Sequence, residues 1–221
     1  MSLSHRTPEL RPALSRPLRV PIAVVALVAT VAVVVLAGQY AGDCTPGLID
    51  VRAREAVAAL WPRPGPEALV IDSLGDPRIA AVLVGLLVLT CLALGRRRLA
   101  ILAIAGPAVT GITTTALKPI VDRTIHGVHL AFPSGHTGVA TALALVVALL
   151  LVDLLRVQRR AAVLMLAGAA VGAGGLMAMT QVALGAHYAT DTAGGLCTAV
   201  AVVMTAAWLL DPVGDALGPR A

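Results

Sequence analysis

Long apolar stretches at 20–38, 79–94, 99–117, 137–155, 161–179 and 192–210 alternate with short polar segments along the chain. Each approaches the ~20 residues a helix needs to cross the hydrocarbon of a bilayer. Recurring runs of this length argue for a helical membrane protein and not for a soluble core. The pattern predicts an all-α, polytopic membrane protein with six transmembrane helices over 20–210. A polar tail, 1–19, precedes them and a short one, 211–221, follows. The basic segment before the first stretch would also suit a signal peptide, but the apolar length favours an uncleaved span. The longest polar connection, 39–78, carries Pro46, Pro62, Pro64 and Pro66. Within it Leu48, Val51, Val57, Leu60 and Trp61 fall roughly on one helical face, with Arg52, Arg54 and Glu55 elsewhere. This is either a short amphipathic helix at the membrane interface or an irregular loop.

Composition agrees: 58% of the 221 residues are hydrophobic and 13% charged, against about 25% charged in a soluble domain. The basic residues set an orientation. Eleven (Arg6, Arg11, Arg16, Arg19, Arg96, Arg97, Arg98, Arg156, Arg159, Arg160 and Arg220) fall on one side of the predicted spans. Six (Arg52, Arg54, Arg63, Arg78, Lys118 and Arg123) fall on the other. The excess predicts cytoplasmic termini in a plasma membrane. The net charge of +5 is thus explained by helix ends. Nothing in the chain interleaves aromatic and basic residues as a nucleic-acid surface does. Cys44, Cys91 and Cys197 make no Cys-x-x-Cys spacing, which excludes a disulfide framework or zinc cluster.

Two polar clusters interrupt the apolar half, and the predicted topology brings both to the extracytoplasmic helix ends. The first runs from Lys118, the only lysine, through Arg123 to Pro133-Ser134-Gly135-His136, directly before an apolar stretch. Ser134 is placed to cap the following helix, and Gly135 lets the backbone approach a ligand. The N–H groups of a helix start favour a phosphate, and Lys118 and Arg123 supply positive charge. The second cluster is Thr180-Gln181 and then Leu184-Gly185-Ala186-His187-Tyr188-Ala189-Thr190-Asp191. His187 and Asp191 are four apart and share a face if helical. An Asp that accepts from one imidazole nitrogen leaves the other free to attack. His136 could then protonate a leaving oxygen. The same histidines, with His126, His129, Asp122 and Asp191, could instead be a metal site. The Pro-Ser-Gly lead-in and the lone lysine fit an oxyanion better, with no metal and no cofactor.

Together the clusters resemble the type 2 phosphatidic acid phosphatase superfamily, whose pattern is Lys-x6-Arg-Pro, then Pro-Ser-Gly-His, then Ser-Arg-x5-His-x3-Asp. The middle motif matches in full at Pro133 to His136; His187 and Asp191 match the third. Two positions depart: Ile125 stands where the first arginine belongs, with Arg123 two residues earlier, and Thr180-Gln181 replaces Ser-Arg. The resemblance implies a six-helix lipid phosphatase in which His187 is the nucleophile, Asp191 its orienting acid and His136 the general acid. It implies Lys118 as a phosphate ligand. Arg123, Ser134 and Gly135 are expected beside it, with Thr180, Gln181 and Tyr188 as further candidates. The implied substrate is a lipid phosphate: a polyprenyl phosphate or diphosphate, phosphatidic acid, phosphatidylglycerol phosphate or a lipid-linked sugar phosphate. The alternative is a protein of the same fold that binds or moves an anionic lipid without cleaving it.

Overall fold

The structure, a computed structural model, describes residues 18–217. The expected tail at 1–19 falls almost wholly outside them, as does the end of the one at 211–221. The helices are α1 (Arg19–Gln39), α2 (Leu48–Leu60), α3 (Pro66–Ser73), α4 (Pro77–Ala93), α5 (Arg97–Val121), α6 (Gly135–Leu155), α7 (Arg159–Ala169), α8 (Gly175–Ala183) and α9 (Ala189–Leu217). A π-helical turn, Ala170–Gly174, joins α7 to α8, so that Arg159–Ala183 forms one long span. With α1, α5, α6 and α9 this gives five helices long and apolar enough to cross a membrane. The pair α3 and α4, bent by 59° at their junction, makes a sixth when counted as one span. The polytopic all-α architecture expected from the apolar pattern is therefore present.

Helix ends explain where the apolar pattern and the structure differ. α5 continues to Val121 and stops at Asp122, which adopts a left-handed conformation (φ 52°). Lys118 thus lies in the last turn of a helix, not in the loop after it. α8 continues to Ala183 and carries Thr180 and Gln181. α9 continues to Leu217, through the first residues of the expected C-terminal tail. In α5 and α8 the added turns meet polar partners, the Leu130 carbonyl for Lys118 and Asp72 for Gln181. At α4 the entry signals were readable: Asp76 accepts from the Arg78 N–H at 2.8 Å, and Pro77 opens the helix.

α5, α6 and α9 form the centre, with Leu102 and Ala103, Leu145, Val146 and Leu149, and Ala199 and Val203 packed together. α1 lies along α9, α4 against α5 and α6, and α7 against α6. Val24, Val28, Val31 and Val35 point outward from α1, as residues facing acyl chains do. Helices in lipid associate through close packing, because acyl chains are as apolar as the side chains themselves. Close packing is tightest where α6 begins. A Cβ on Gly195 would lie 2.2 Å from the Ser134 carbonyl oxygen, and one on Gly194 2.5 Å from the Phe132 ring. Residues 132–134, including the cis Phe132–Pro133 peptide, therefore rest directly on the first turns of α9. Ser134 N–H donates to the Asp191 carbonyl at 2.9 Å, joining the two polar clusters through the backbone.

The connection at 39–78 is helical where a loop was the alternative. α2 turns Asp50 inward, 3% exposed, and leaves Leu48, Ile49 and Leu60 outward. One small non-helical element, a two-residue hairpin of β1 (Thr124–Ile125) and β2 (His129–Leu130), follows Arg123. It fixes the segment between the two motif ends of α5 and α6.

Candidate active site

The chain leaves α8 in a tight turn, with the N–H groups of Ala186 and His187 donating to the Gln181 carbonyl at 2.9 and 3.4 Å. Tyr188 N–H then donates to Asp191 Oδ2 at 2.9 Å, while Asp191 N–H returns a bond to the Tyr188 carbonyl at 3.1 Å. This reciprocal pairing starts α9 and fixes the carboxylate in the manner of a capping box. His187 precedes the helix, so its relation to Asp191 is set by this turn and not by a helical face. His187 Nδ1 lies 3.7 Å from Asp191 Oδ2, is buried, and makes no hydrogen bond. That distance is ionic reach without a formed hydrogen bond; such bonds commonly tighten only when substrate is bound. Nδ1 faces the acid, which leaves Nε2 for chemistry.

Asp191 is held from behind by Arg123. Arg123 Nη1 reaches Asp191 Oδ1 and Thr190 Oγ1, both at 2.6 Å, and Nη2 reaches Asp50 Oδ2 at 2.7 Å. The guanidinium lies between the rings of Tyr40 (4.2 Å) and Tyr188 (4.6 Å) and has no exposed surface. Asp50 also accepts from the Thr190 N–H and hydroxyl and from the Gly47 N–H. Burial alone would raise the Asp50 carboxyl. The bonds from Thr190, Arg123 and Gly47 outweigh it and hold the group below the usual carboxylate range. Burial pushes the Tyr188 phenol up, against the opposing pull of Arg123.

The structure thus corrects the expectation for Arg123. Both terminal nitrogens are committed to carboxylates inside the protein, so it supports Asp191 instead of meeting a phosphate. Arg123 follows directly on Asp122, the left-handed residue that ends α5. Ser134 is also fully buried; its Oγ accepts from Thr137 N–H at 3.4 Å as the cap of α6. Of the first cluster this leaves Lys118, Gly135 and His136 with accessible surface. Lys118 Nζ donates to the Leu130 carbonyl at 2.8 Å, which uses one of its three hydrogens. His136 Nε2 lies 3.8 Å from Asp72 Oδ1, and the backbone bond from Ser134 to Asp191 sets the turn that carries His136 beside the turn that carries His187. Thr180 is buried and bonds back to the Leu176 carbonyl. Gln181 is buried too, and its Nε2 donates to Asp72 Oδ1.

Two cavities meet these residues from different directions. One is an apolar cleft of about 840 Å³ between α4 and α5, with Ala80, Ala81, Val84, Ala108 and Gly111 among its walls and Gly135 and His136 at its end. The other, about 460 Å³, is more polar and lies under α2, with Arg54, Glu55, His126 and His187 on its wall. His126 Nε2 is 2.9 Å from the Gly185 carbonyl, so the ring closes the turn before His187. His129 is exposed in β2. Among the described residues no three His, Cys, Asp or Glu side chains are grouped to hold a metal ion.

Four contributors carry no sequence signal: Tyr40, Asp50, Asp72 and Thr190. The first three lie at or beyond the end of the first span, in a segment without motif spacing. Arg123 and Thr190 stand 73 and 140 positions from Asp50, and Gln181 stands 109 from Asp72.

The family model described as the PAP2 superfamily matches residues 19–213. No curated protein and no solved structure matches the chain.

Proposed function

The chain belongs to the PAP2 superfamily, and we propose that it is a lipid phosphatase that works through a phosphohistidine at His187. Members of this superfamily are phosphatases, hydrolases of phosphate esters. The observation that carries the lipid reading is the apolar cleft between α4 and α5, which ends on Gly135 and His136. An acyl or polyprenyl chain lying in it would leave its phosphate beside the start of α6.

In this reading His187 Nε2 attacks phosphorus and the bond from phosphorus to the lipid oxygen breaks. The electron pair leaves with that oxygen, which takes a proton from His136. Asp191 holds Nδ1 and offsets the positive charge that forms on the ring. Arg123 and Asp50 keep the Asp191 carboxylate in place. Lys118 and the opening N–H groups of α6, which have no acceptor inside the helix, meet the phosphoryl oxygens. Neutral His136 then takes a proton from water as that water attacks phosphorus, and phosphate leaves with His187 restored. Site and substrate face the extracytoplasmic side, a reading supported by the eleven-to-six excess of basic residues at the opposite helix ends. The plasma membrane is the expected location, and the candidate substrates are those implied by the resemblance.

The test is phosphate release by purified, detergent-solubilised protein from a panel of lipid phosphates with EDTA present. Release by the wild type, loss in His187→Ala and an acid-labile phosphoprotein in the wild type are the expected results. Lipid binding without release from any member of the panel would make the protein a carrier or binder of anionic lipid. Release abolished by EDTA would move the reading to a metal site.

A further inference from the structure

Asp72, on α3, belongs to none of the motifs, yet one of its carboxylate oxygens serves two motif side chains. Oδ1 accepts from Gln181 Nε2 and lies 3.8 Å from His136 Nε2. The turn after α3 is pressed onto the same imidazole: a Cβ on Gly75 would come within 2.5 Å of His136 Cδ2 and 2.7 Å of its Cβ. Only glycine fits there, so α3 and its turn are built against His136 and do not merely drift over it.

We propose that Asp72 is the positioning residue of His136, and that Gln181 holds Asp72 in that role; this rests on His136 acting as general acid. The chemistry of the two donors decides the arrangement. A neutral amide can fix a carboxylate through a hydrogen bond while leaving its charge in place. An arginine at 181 would pair with Asp72 and take that charge for itself. With Gln181 there, the Asp72 charge remains available to the His136 imidazolium, the form that can donate a proton. Gln181 is suited to the task because it is 1% exposed, with Nε2 also 3.8 Å from Met177 Sδ, so its amide has little freedom to turn away.

The other charged groups around His136 are accounted for. Asp76, from the same turn, is a second carboxylate near the imidazole, but it already accepts the Arg78 N–H. Lys118 on α5 and His187 before α9 are the basic groups on its other sides. Asp72 is therefore the carboxylate whose geometry is set by contact with a second motif residue. The glutamine that departs from the superfamily pattern at 181 and the aspartate at 72 form one matched pair across two helices.

The experiment compares pH profiles of kcat/KM for wild type, Asp72→Asn, Asp72→Glu and Gln181→Arg. Each is measured on a lipid phosphate and on p-nitrophenyl phosphate, whose leaving group needs little protonation. In Asp72→Asn the imidazolium loses its counter-charge. The alkaline limb on the lipid phosphate is expected to move down by about one pH unit, with the rate falling roughly tenfold or more. The p-nitrophenyl rate should hardly change, and Asp72→Glu should restore part of the limb. Gln181→Arg should move the limb in the same direction as Asp72→Asn. An unmoved limb in Asp72→Asn, or equal losses on both substrates, would overturn the proposal and mark Asp72 as structural. So would a faster Gln181→Arg enzyme with an unchanged limb, which would make position 181 a phosphate ligand. A histidine NMR titration of the same proteins, with His136→Gln to assign the signal, reads the His136 proton directly without turnover. An inactive wild type sinks the phosphatase reading, whereas an unshifted His136 titration in Asp72→Asn sinks this inference alone.

Discussion

Arg123 Nη1 and Asp191 Oδ1 are 2.6 Å apart, and neither side chain has any exposed surface. The pair is extended by Asp50 on the other terminal nitrogen, so one cation serves two buried carboxylates. Taking the cation from such a set leaves two buried carboxylates uncompensated, and breaking a buried pair in this way typically costs about 3–5 kcal/mol. Arg123→Gln is therefore expected to lower the unfolding midpoint of the detergent-solubilised protein steeply, whether or not substrate is present. A phosphate ligand would behave differently, weakening KM while leaving the midpoint near that of the wild type.

Asp50 links this network to pH. Its carboxyl is held lower in the folded protein than in the unfolded chain. The stability it contributes is thus present in full above the unfolded value, about 3.9, and is lost as pH falls through the folded value. Wild type and Asp50→Asn should differ most above about pH 4 and converge below it. Unfolding midpoints taken down an acid series test this; a difference that grows on acidification would contradict the sign.

Asp191→Asn should fold, since an amide oxygen can still face Arg123, but it removes the charge opposite His187 Nδ1. Phosphate release is expected to fall by about 10²–10⁴-fold, and His187→Ala should abolish it. Rapid-quench labelling separates the two: slow phosphoprotein formation in the first variant and none in the second.

Gly195→Ala puts a methyl group where the Ser134 carbonyl oxygen already sits, 2.2 Å away. Such overpacking costs about 1–3 kcal/mol. It should also separate His136 from His187, because the Ser134-to-Asp191 backbone bond spans the same contact. Activity is expected to drop further than stability alone explains, and parallel measurement of midpoint and rate decides it.

Filling the apolar cleft tests the substrate reading without touching the polar site. Ala108→Phe and Ala81→Phe each place a ring between α4 and α5. KM for long-chain lipid phosphates should rise by roughly tenfold or more, at about 1.4 kcal/mol per tenfold, while hydrolysis of a water-soluble phosphate ester stays unchanged. Equal effects on both substrates would place the chain of the lipid elsewhere.

Much of this architecture is legible in the residues themselves, and the reason is the solvent. A bilayer demands long apolar helices, so the six stretches stand out, and polar residues at their ends are conspicuous enough to pick out Lys118, His136, His187 and Asp191. What escapes is whatever depends on tertiary contact alone. Asp50 and Asp72 sit among ordinary polar residues, and nothing in their local spacing points to Arg123 or His136. Arg123 itself was readable as a cation near Lys118 but not as a buried one, since the partners that bury it, Asp50, Thr190 and Asp191, are distant in the chain. α2 turns one acid, Asp50, inward and leaves Leu48 and Leu60 outward beside Arg52, Arg54 and Glu55, because a polar site lies behind it and the membrane interface is its expected outer neighbour.

The cleft between α4 and α5 includes Ile104 and Ile112 among its walls, both turned outward from the bundle, where an opening between the two helices would lie. Under the proposed reading, a ligand that comes through such an opening never leaves the plane of the membrane. Its search for the enzyme is two-dimensional. The quantity that governs turnover is then the substrate's mole fraction among neighbouring lipids, so adding inert detergent or phospholipid at fixed bulk substrate should slow the reaction by dilution within the surface alone.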